Sequence, residues 1–194
     1  MIRMVIRVTV LALSCAIPAM AIESLPGPEQ IAAALAAGKA AAERGKSPDS
    51  FYVRFGASDE LHPSGFLITK LGALSVMATH MALRGLQPGE ADVAQVLETK
   101  TMLVSTVIFG DAPAFAQESY MVFDQAGRTI KPVTVRFDGQ ANRSAVWPER
   151  PRFKAKVVAS FDYSDFDPRA KTTITVFPAN GGAESFVLDF AGIQ

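Results

Sequence analysis

The sequence is poor in the residues that most often carry chemistry. It has one cysteine, Cys15, and two histidines, His62 and His80, among 194 residues. A single thiol excludes a disulfide framework and any multi-cysteine metal site. Neither sign of charge prevails: Lys plus Arg and Asp plus Glu stand at 19 each, so no global field draws the chain to nucleic acid or to an anionic membrane. Glycine (14) and proline (12) are near average usage, which excludes a collagen or a linker protein. What is present is apolar. With 49% hydrophobic and 20% charged residues the chain is not disordered, and its length suits one ordinary domain or a domain with a helical annex.

Residues 1–21, MIRMVIRVTVLALSCAIPAMA, read as a signal peptide. Arg3 and Arg7 give a basic start, Val8 to Ile17 an apolar run, and Pro18 a helix break. Ala19 and Ala21 then form the small-x-small pattern that signal peptidase accepts, with cleavage after Ala21. A run of about ten apolar residues spans only ~15 Å as a helix, half of a bilayer core, too short for a permanent anchor. A rival reading lipidates Cys15, since Leu13-Ser14-Cys15 partly resembles the lipobox of bacterial lipoproteins. The leucine that those motifs place three residues before the cysteine is Ala12 here. A chain cut after Ala21 begins at Ile22, holds no cysteine and carries 17 basic against 19 acidic residues, a net charge of −2. The lack of thiols suits an oxidising compartment, periplasmic or extracellular.

Residues 22–99 are expected to be mainly helical. Gly27-Pro28-Glu29 opens a helix with proline and an acid in its first turn, an alanine-rich run continues it, and Arg44-Gly45 stops it. Phe51 to Phe55 predicts a short strand, residues 66–84 a second helix, and Pro88-Gly89-Glu90 the start of a third that reaches Glu98. The second helix presents Lys70, Met77, His80 and Arg84 on a polar side, with Leu67, Leu71, Leu74, Ala78 and Met81 for packing. Its 13 uncharged residues between Lys70 and Arg84 fall short of the roughly 17 that a span requires, so no integral membrane span is expected in the mature chain.

Residues 100–194 change character, and ten of the 13 phenylalanines lie there. Strands are predicted at Met102 to Phe109, Tyr120 to Phe123, Val133 to Phe137, Arg152 to Tyr163, Lys171 to Phe177 and Ser185 to Phe190. The second and third flank a turn at Asp124 to Gly127, and Pro178 to Gly182 turns between the last two. Within Arg152 to Tyr163, Phe153, Ala155, Val157, Ala159, Phe161 and Tyr163 share one face. Arg152, Lys154, Lys156, Ser160 and Asp162 point the other way. This spacing predicts an antiparallel, immunoglobulin-like β-sandwich. The expected fold class is therefore α+β: a helical segment with about three helices and one short strand, then the sandwich, as two regions or one compact domain.

Candidate chemistry is sparse. Gly45-Lys46-Ser47 matches the end of a phosphate-binding loop, but Ala40 stands where the first glycine belongs and the segment ends a helix, so it reads as a helix stop. His62 and His80 lie 18 residues apart, outside the short spacing of metal sites. Ser64, in His62-Pro63-Ser64-Gly65, is the best available hydrolase nucleophile in a chain without Gly-x-Ser-x-Gly, and it reads as a turn. Asp162, Asp165 and Asp167 form the densest acidic cluster. They offer Ca²⁺ ligands in type, but the twelve-residue calcium loop is missing and Arg169 and Lys171 are close, so an Asx-type turn is expected. Lys154 and Lys156 have no aromatic partners on their face, which gives no nucleic-acid platform. Trp147 is read as a staple of its proline-rich segment against the sandwich, with a surface contact as the alternative. No catalytic, cofactor-binding or metal residue is assigned, and no cofactor is implied.

Two function classes remain: an exported, non-enzymatic binding or assembly protein acting on a protein or envelope component, and a small extracytoplasmic enzyme such as a hydrolase using His62 or His80. A pocket holding His80 beside a perturbed carboxylate would mark the enzyme. An exposed apolar patch or an unpaired strand edge would mark the binding module. Export has a direct check. Intact mass of the protein from the envelope fraction should correspond to a chain beginning at Ile22, and a species beginning at Cys15 with added acyl mass would replace this reading with a lipoprotein.

Overall fold

The structure is a computed structural model describing residues 22–193; the segment expected to be a signal peptide, with Cys15, Ala19 and Ala21, lies outside the described residues. The chain runs α1 (Pro28–Glu43), a 3-10 turn (Pro48–Phe51), β1 (Val53–Gly56), β2 (Ser64–Ile68), α2 (Lys70–Ala82), α3 (Glu90–Leu97) and β3 (Thr101–Gly110). It continues through β4 (Tyr120–Gln125), β5 (Arg128–Ile130), β6 (Thr134–Phe137), β7 (Asn142–Arg143), β8 (Phe153–Asp162), β9 (Lys171–Phe177) and β10 (Glu184–Asp189). The strands form two antiparallel sheets, one in the order β1-β2-β3-β8-β6 with β7 also on β8, the other β10-β9-β4-β5. Among the described residues the fold is thus α+β, with three helices and two antiparallel sheets.

One apolar core is shared by the two sheets. Met102, Val104 and Ile108 of β3 and Ala155, Val157, Ala159 and Phe161 of β8 meet Met121, Phe123, Ile174 and Val176 of the second sheet. The alternation read in residues 152–163 holds: Ala155, Val157, Ala159 and Phe161 are buried, while Lys156 is exposed and Ser160 half-buried on the outer face. Phe161 stacks on Phe123 with ring centroids 3.6 Å apart and planes 10° from parallel. Phe166 and Phe190 close on the same ring edge-on, each 5.7 Å from it. Ile22 is also buried in this core, and its N–H donates to the Pro168 carbonyl at 3.3 Å.

Three expectations need correction. Residues 66–68 are strand, not helix. Phe66 and Ile68 lie opposite Ser105 and Leu103 of β3, where aromatic and β-branched side chains fit a pleated surface. Helix α2 starts only after Thr69, whose Oγ1 accepts from the Gly72 N–H at 3.0 Å. Residues 22–99 therefore carry two strands, and both join the larger sheet. Finally, the turn after Asp124 joins β4 to β5, with Phe123 opposite Ile130. Ala126 (φ 51°) and Gly127 (φ 81°) both adopt the left-handed region that tight hairpins require. Strand β6 instead crosses to the other sheet and sets Val135 opposite Ala159. Period-two patterning marks a strand but does not name its neighbour.

Helices α1 and α2 run side by side in the same direction, as their contacts show. Ser75 Oγ donates to Ala34 O at 2.9 Å and, one turn on, Thr79 Oγ1 donates to Gly38 O at 3.0 Å. A Cβ on Gly38 would lie 2.3 Å from the Ser75 carbonyl oxygen, so only glycine permits this approach. Both helices end on a left-handed glycine, Gly45 (φ 66°) and Gly85 (φ 72°). Lys46 N–H then donates to Ala41 O, and Leu86 N–H to Met81 O, each at 2.9 Å, completing two Schellman ends at the same end of the pair. Gly45-Lys46 is thus part of a helix stop.

Core and outer face of β8 should respond differently to substitution. Phe161→Ala should cost about 3–5 kcal/mol through lost burial and a cavity, whereas Ser160→Lys should change stability by no more than about 0.5 kcal/mol. Urea melts of the two variants check this, and equal losses would contradict the assigned faces.

Candidate functional site

The residues singled out from the sequence do not converge. His62 is exposed in the β1–β2 loop, where its Nδ1 lies 2.8 Å from the Asp59 carboxylate. That carboxylate also accepts the Leu61 N–H at 2.8 Å, and this bond, with the His62 ring, holds the Asp59 acid below its ordinary range. Ser64 opens β2 and shares no hydrogen bond with the ring, so no serine relay is assembled. His80 is exposed on α2. Asp59 was missed in the sequence, although an aspartate three residues before a histidine in a short loop is a recognisable turn pattern.

The acidic cluster is built into its own turns. Asp162 Oδ1 accepts from the Ser164 N–H at 2.9 Å and its hydroxyl at 2.8 Å, contacts that hold its pKa below the usual carboxylate value. Asp167 Oδ1 accepts from the Arg169 N–H at 2.8 Å, and Gln125 bonds the Asp167 backbone on both sides. Asp165 contributes its carbonyl to Arg128. Among the described residues, no three His, Cys, Asp or Glu side chains come together as a group that could hold a metal ion.

Lys70 departs most from the helical-wheel reading. It is only 7% exposed, because α2 starts at this residue and α3 packs across it. Its Nζ donates to Leu97 O, in the last turn of α3, at 2.7 Å and sits 5.4 Å from the centre of the Tyr163 ring. The carbonyl end of a helix favours a cation there, while desolvation pushes the Lys70 ammonium down from its ordinary value. Burial pushes the Tyr163 phenol well above its ordinary value of 10.0, against the smaller opposing effect of the nearby Lys70 backbone N–H. A wheel drawn on one helix could not show the partner that buries this lysine.

Two concavities lie elsewhere. The first is an apolar groove of about 490 Å³ where α1 and α2 end together, walled by Leu35, Ala42, Ala78 and Ala82 and flanked by Lys39 and Glu43. Leu83 and Leu86, each 55% exposed, stand on its rim. The second lies beside Trp147. This residue does not staple the chain to the core: it is 44% exposed, with the Arg143 guanidinium 4.1 Å over its ring. Nor is Lys154 without an aromatic neighbour, since Phe109 lies directly opposite it across β3 and β8, on the same outer face. No helix among the described residues is long and apolar enough to cross a membrane. Compared with known proteins, the chain matches no family model, and no curated protein matches it.

The Lys70–Tyr163 contact makes an alkaline signature. A raised phenol stays protonated in the fold while the unfolded phenol ionises, so its stabilisation is whole below about pH 10 and is lost as pH rises through the folded value. Lys70, lowered in the fold, acts in the opposite sense as pH climbs toward 10.5. In urea melts from pH 9 to 11.5, wild type should lose stability relative to Tyr163→Phe. A pH-independent difference between the two would remove Tyr163 from the account.

Proposed function

We propose that this is an exported, non-enzymatic binding or assembly protein that engages a protein or envelope component, in the periplasm or outside the cell. The observation that carries the reading is the apolar groove between the ends of α1 and α2, with Leu83 and Leu86 more than half exposed on its rim. Apolar side chains gathered around a groove gain most when a partner removes them from water. Export is supported by the basic start, apolar run and Ala19-x-Ala21 pattern, with anchoring through Cys15 as the alternative. Ile22 is buried and hydrogen-bonded to Pro168, so a cut after Ala21 leaves the core complete.

The proposed body is immunoglobulin-like. The orders β2-β3-β8-β6 and β10-β9-β4-β5 match the A-B-E-D and G-F-C-C′ orders of such sandwiches, with β1 added outside and α2 and α3 inserted between the first two strands. The hydrolase alternative would rest on the Asp59–His62 pair, which is solvent-exposed and lines neither concavity. The binding reading is therefore preferred.

A full chain carrying a photo-cross-linking residue in place of Leu86 should form a discrete adduct in envelope extracts. Adding Leu83→Ser should cut its yield about tenfold while leaving stability within about 0.5 kcal/mol of the parent. An unchanged yield would remove the groove as the binding surface, and adducts formed only with cytosolic components would remove the export reading.

A further inference from the structure

The formal neutrality of the chain conceals a segregation of charge. Residues 136–156 hold six cations against two acids, a net charge of +4 in a chain whose formal net charge is 0. Two of the six are committed within the fold: Arg150 pairs with Asp111 at 3.3 Å, and Arg152 Nε donates to Pro148 O at 3.3 Å. Arg143 is different. Its guanidinium carbon sits over Trp147, 4.1 Å from the ring centre, yet it makes no hydrogen bond or ion pair with any described residue. A guanidinium held over a ring by cation–π attraction keeps its fork of N–H donors free for a carboxylate.

This cation lines a concavity of about 530 Å³ with Trp147, Phe153, Pro113, Gln140 and Asn142. The walls are held from several directions. Ala141 N–H donates to Pro113 O at 2.8 Å, Gln117 Nε2 to Gly139 O at 2.9 Å, and Ser144 N–H to Arg152 O at 2.9 Å, while Ser144 Oγ bonds the Pro151 carbonyl.

We propose that this pocket binds a carboxylated saccharide, a uronic-acid unit presented alone or within an acidic polysaccharide. The parts fit that chemistry in kind. Aromatic and proline walls accept the apolar face of a pyranose ring, and the guanidinium takes the carboxylate in two parallel bonds. The Gln140 and Asn142 amides both donate and accept, as sugar hydroxyls do. A bare phosphate has no apolar face and would leave the aromatic and proline walls unused. The site goes beyond the groove reading and shares none of its residues, so either can fail alone.

Trp147 is the only tryptophan in the chain, so its emission reports this pocket alone. Titration of the full chain with trigalacturonate should give a saturable change in emission that weakens with added salt. Galacturonate monomer should give the same change at higher concentration if a single unit is recognised. Arg143→Gln, which keeps the side chain's reach but removes its charge, should raise the dissociation constant at least tenfold with an unchanged thermal melt. Should Arg143→Gln unfold the chain, Arg143→Lys, which keeps the charge but loses the two-pronged fork, gives the second reading, a loss of about threefold with the salt dependence retained. An equal response to a neutral trisaccharide, no saturable response to trigalacturonate, or a response confined to phosphatidylglycerol vesicles would each overturn the proposal.

Discussion

The architecture turns on the contact between Phe123 and Phe161. One ring comes from β4 and the other from β8, so their stack at 3.6 Å is the point where the two sheets are joined face to face. Both rings are fully buried, and Phe166 and Phe190 pack around Phe123 at near right angles, an arrangement that sets ring edge against ring face. Phe166 belongs to the loop that follows β8, and Phe190 to the turn that follows β10. The aromatic cluster thus ties two sheet faces and two chain reversals into one packed unit. Ile22 reaches the same core, its N–H held by the Pro168 carbonyl.

The helices depend on a different constraint, the absence of side chains. Ala34 and Gly38 on α1 face Ser75, Ala78 and Thr79 on α2 closely enough for hydroxyls of one helix to reach carbonyls of the other. Such hydrogen bonds also satisfy the buried hydroxyls, which would otherwise carry a desolvation cost. Lys70 then connects this pair with the rest: its backbone meets the Tyr163 phenol, and its ammonium meets α3. Because both helices point the same way and stop on glycines at the same level, their last turns border a single groove.

Two concavities of opposite character follow from these two arrangements. The groove is small-residue and leucine-lined, while the corner beside Trp147 gathers two amide residues and a guanidinium over an indole ring. Neither includes the histidines or the aspartate cluster. Those polar residues serve their own loops: Asp59 orders the bend before β2, and Asp162 and Asp167 order the reversal after β8.

Much of the local structure was legible in residues 22–193, because periodicity and punctuation act over a few residues. The alternating run to Phe161, the helix stop at Gly45, the start of α3 and the turn between β9 and β10 follow from side-chain period, glycine conformation and proline geometry. What these local signals do not contain is the partner. Phe66 to Ile68 is strand because β3 lies beside it, and Val133 to Phe137 leaves its hairpin because β8 offers an edge in the other sheet. Lys70 is buried because α3 crosses it, and Arg143 is poised because a loop returns Trp147 beneath it. Local propensities are worth tenths of a kilocalorie per residue and decide which elements the chain can form. Burial and charge placement depend on contacts between segments tens of residues apart, and only the tertiary structure decides those.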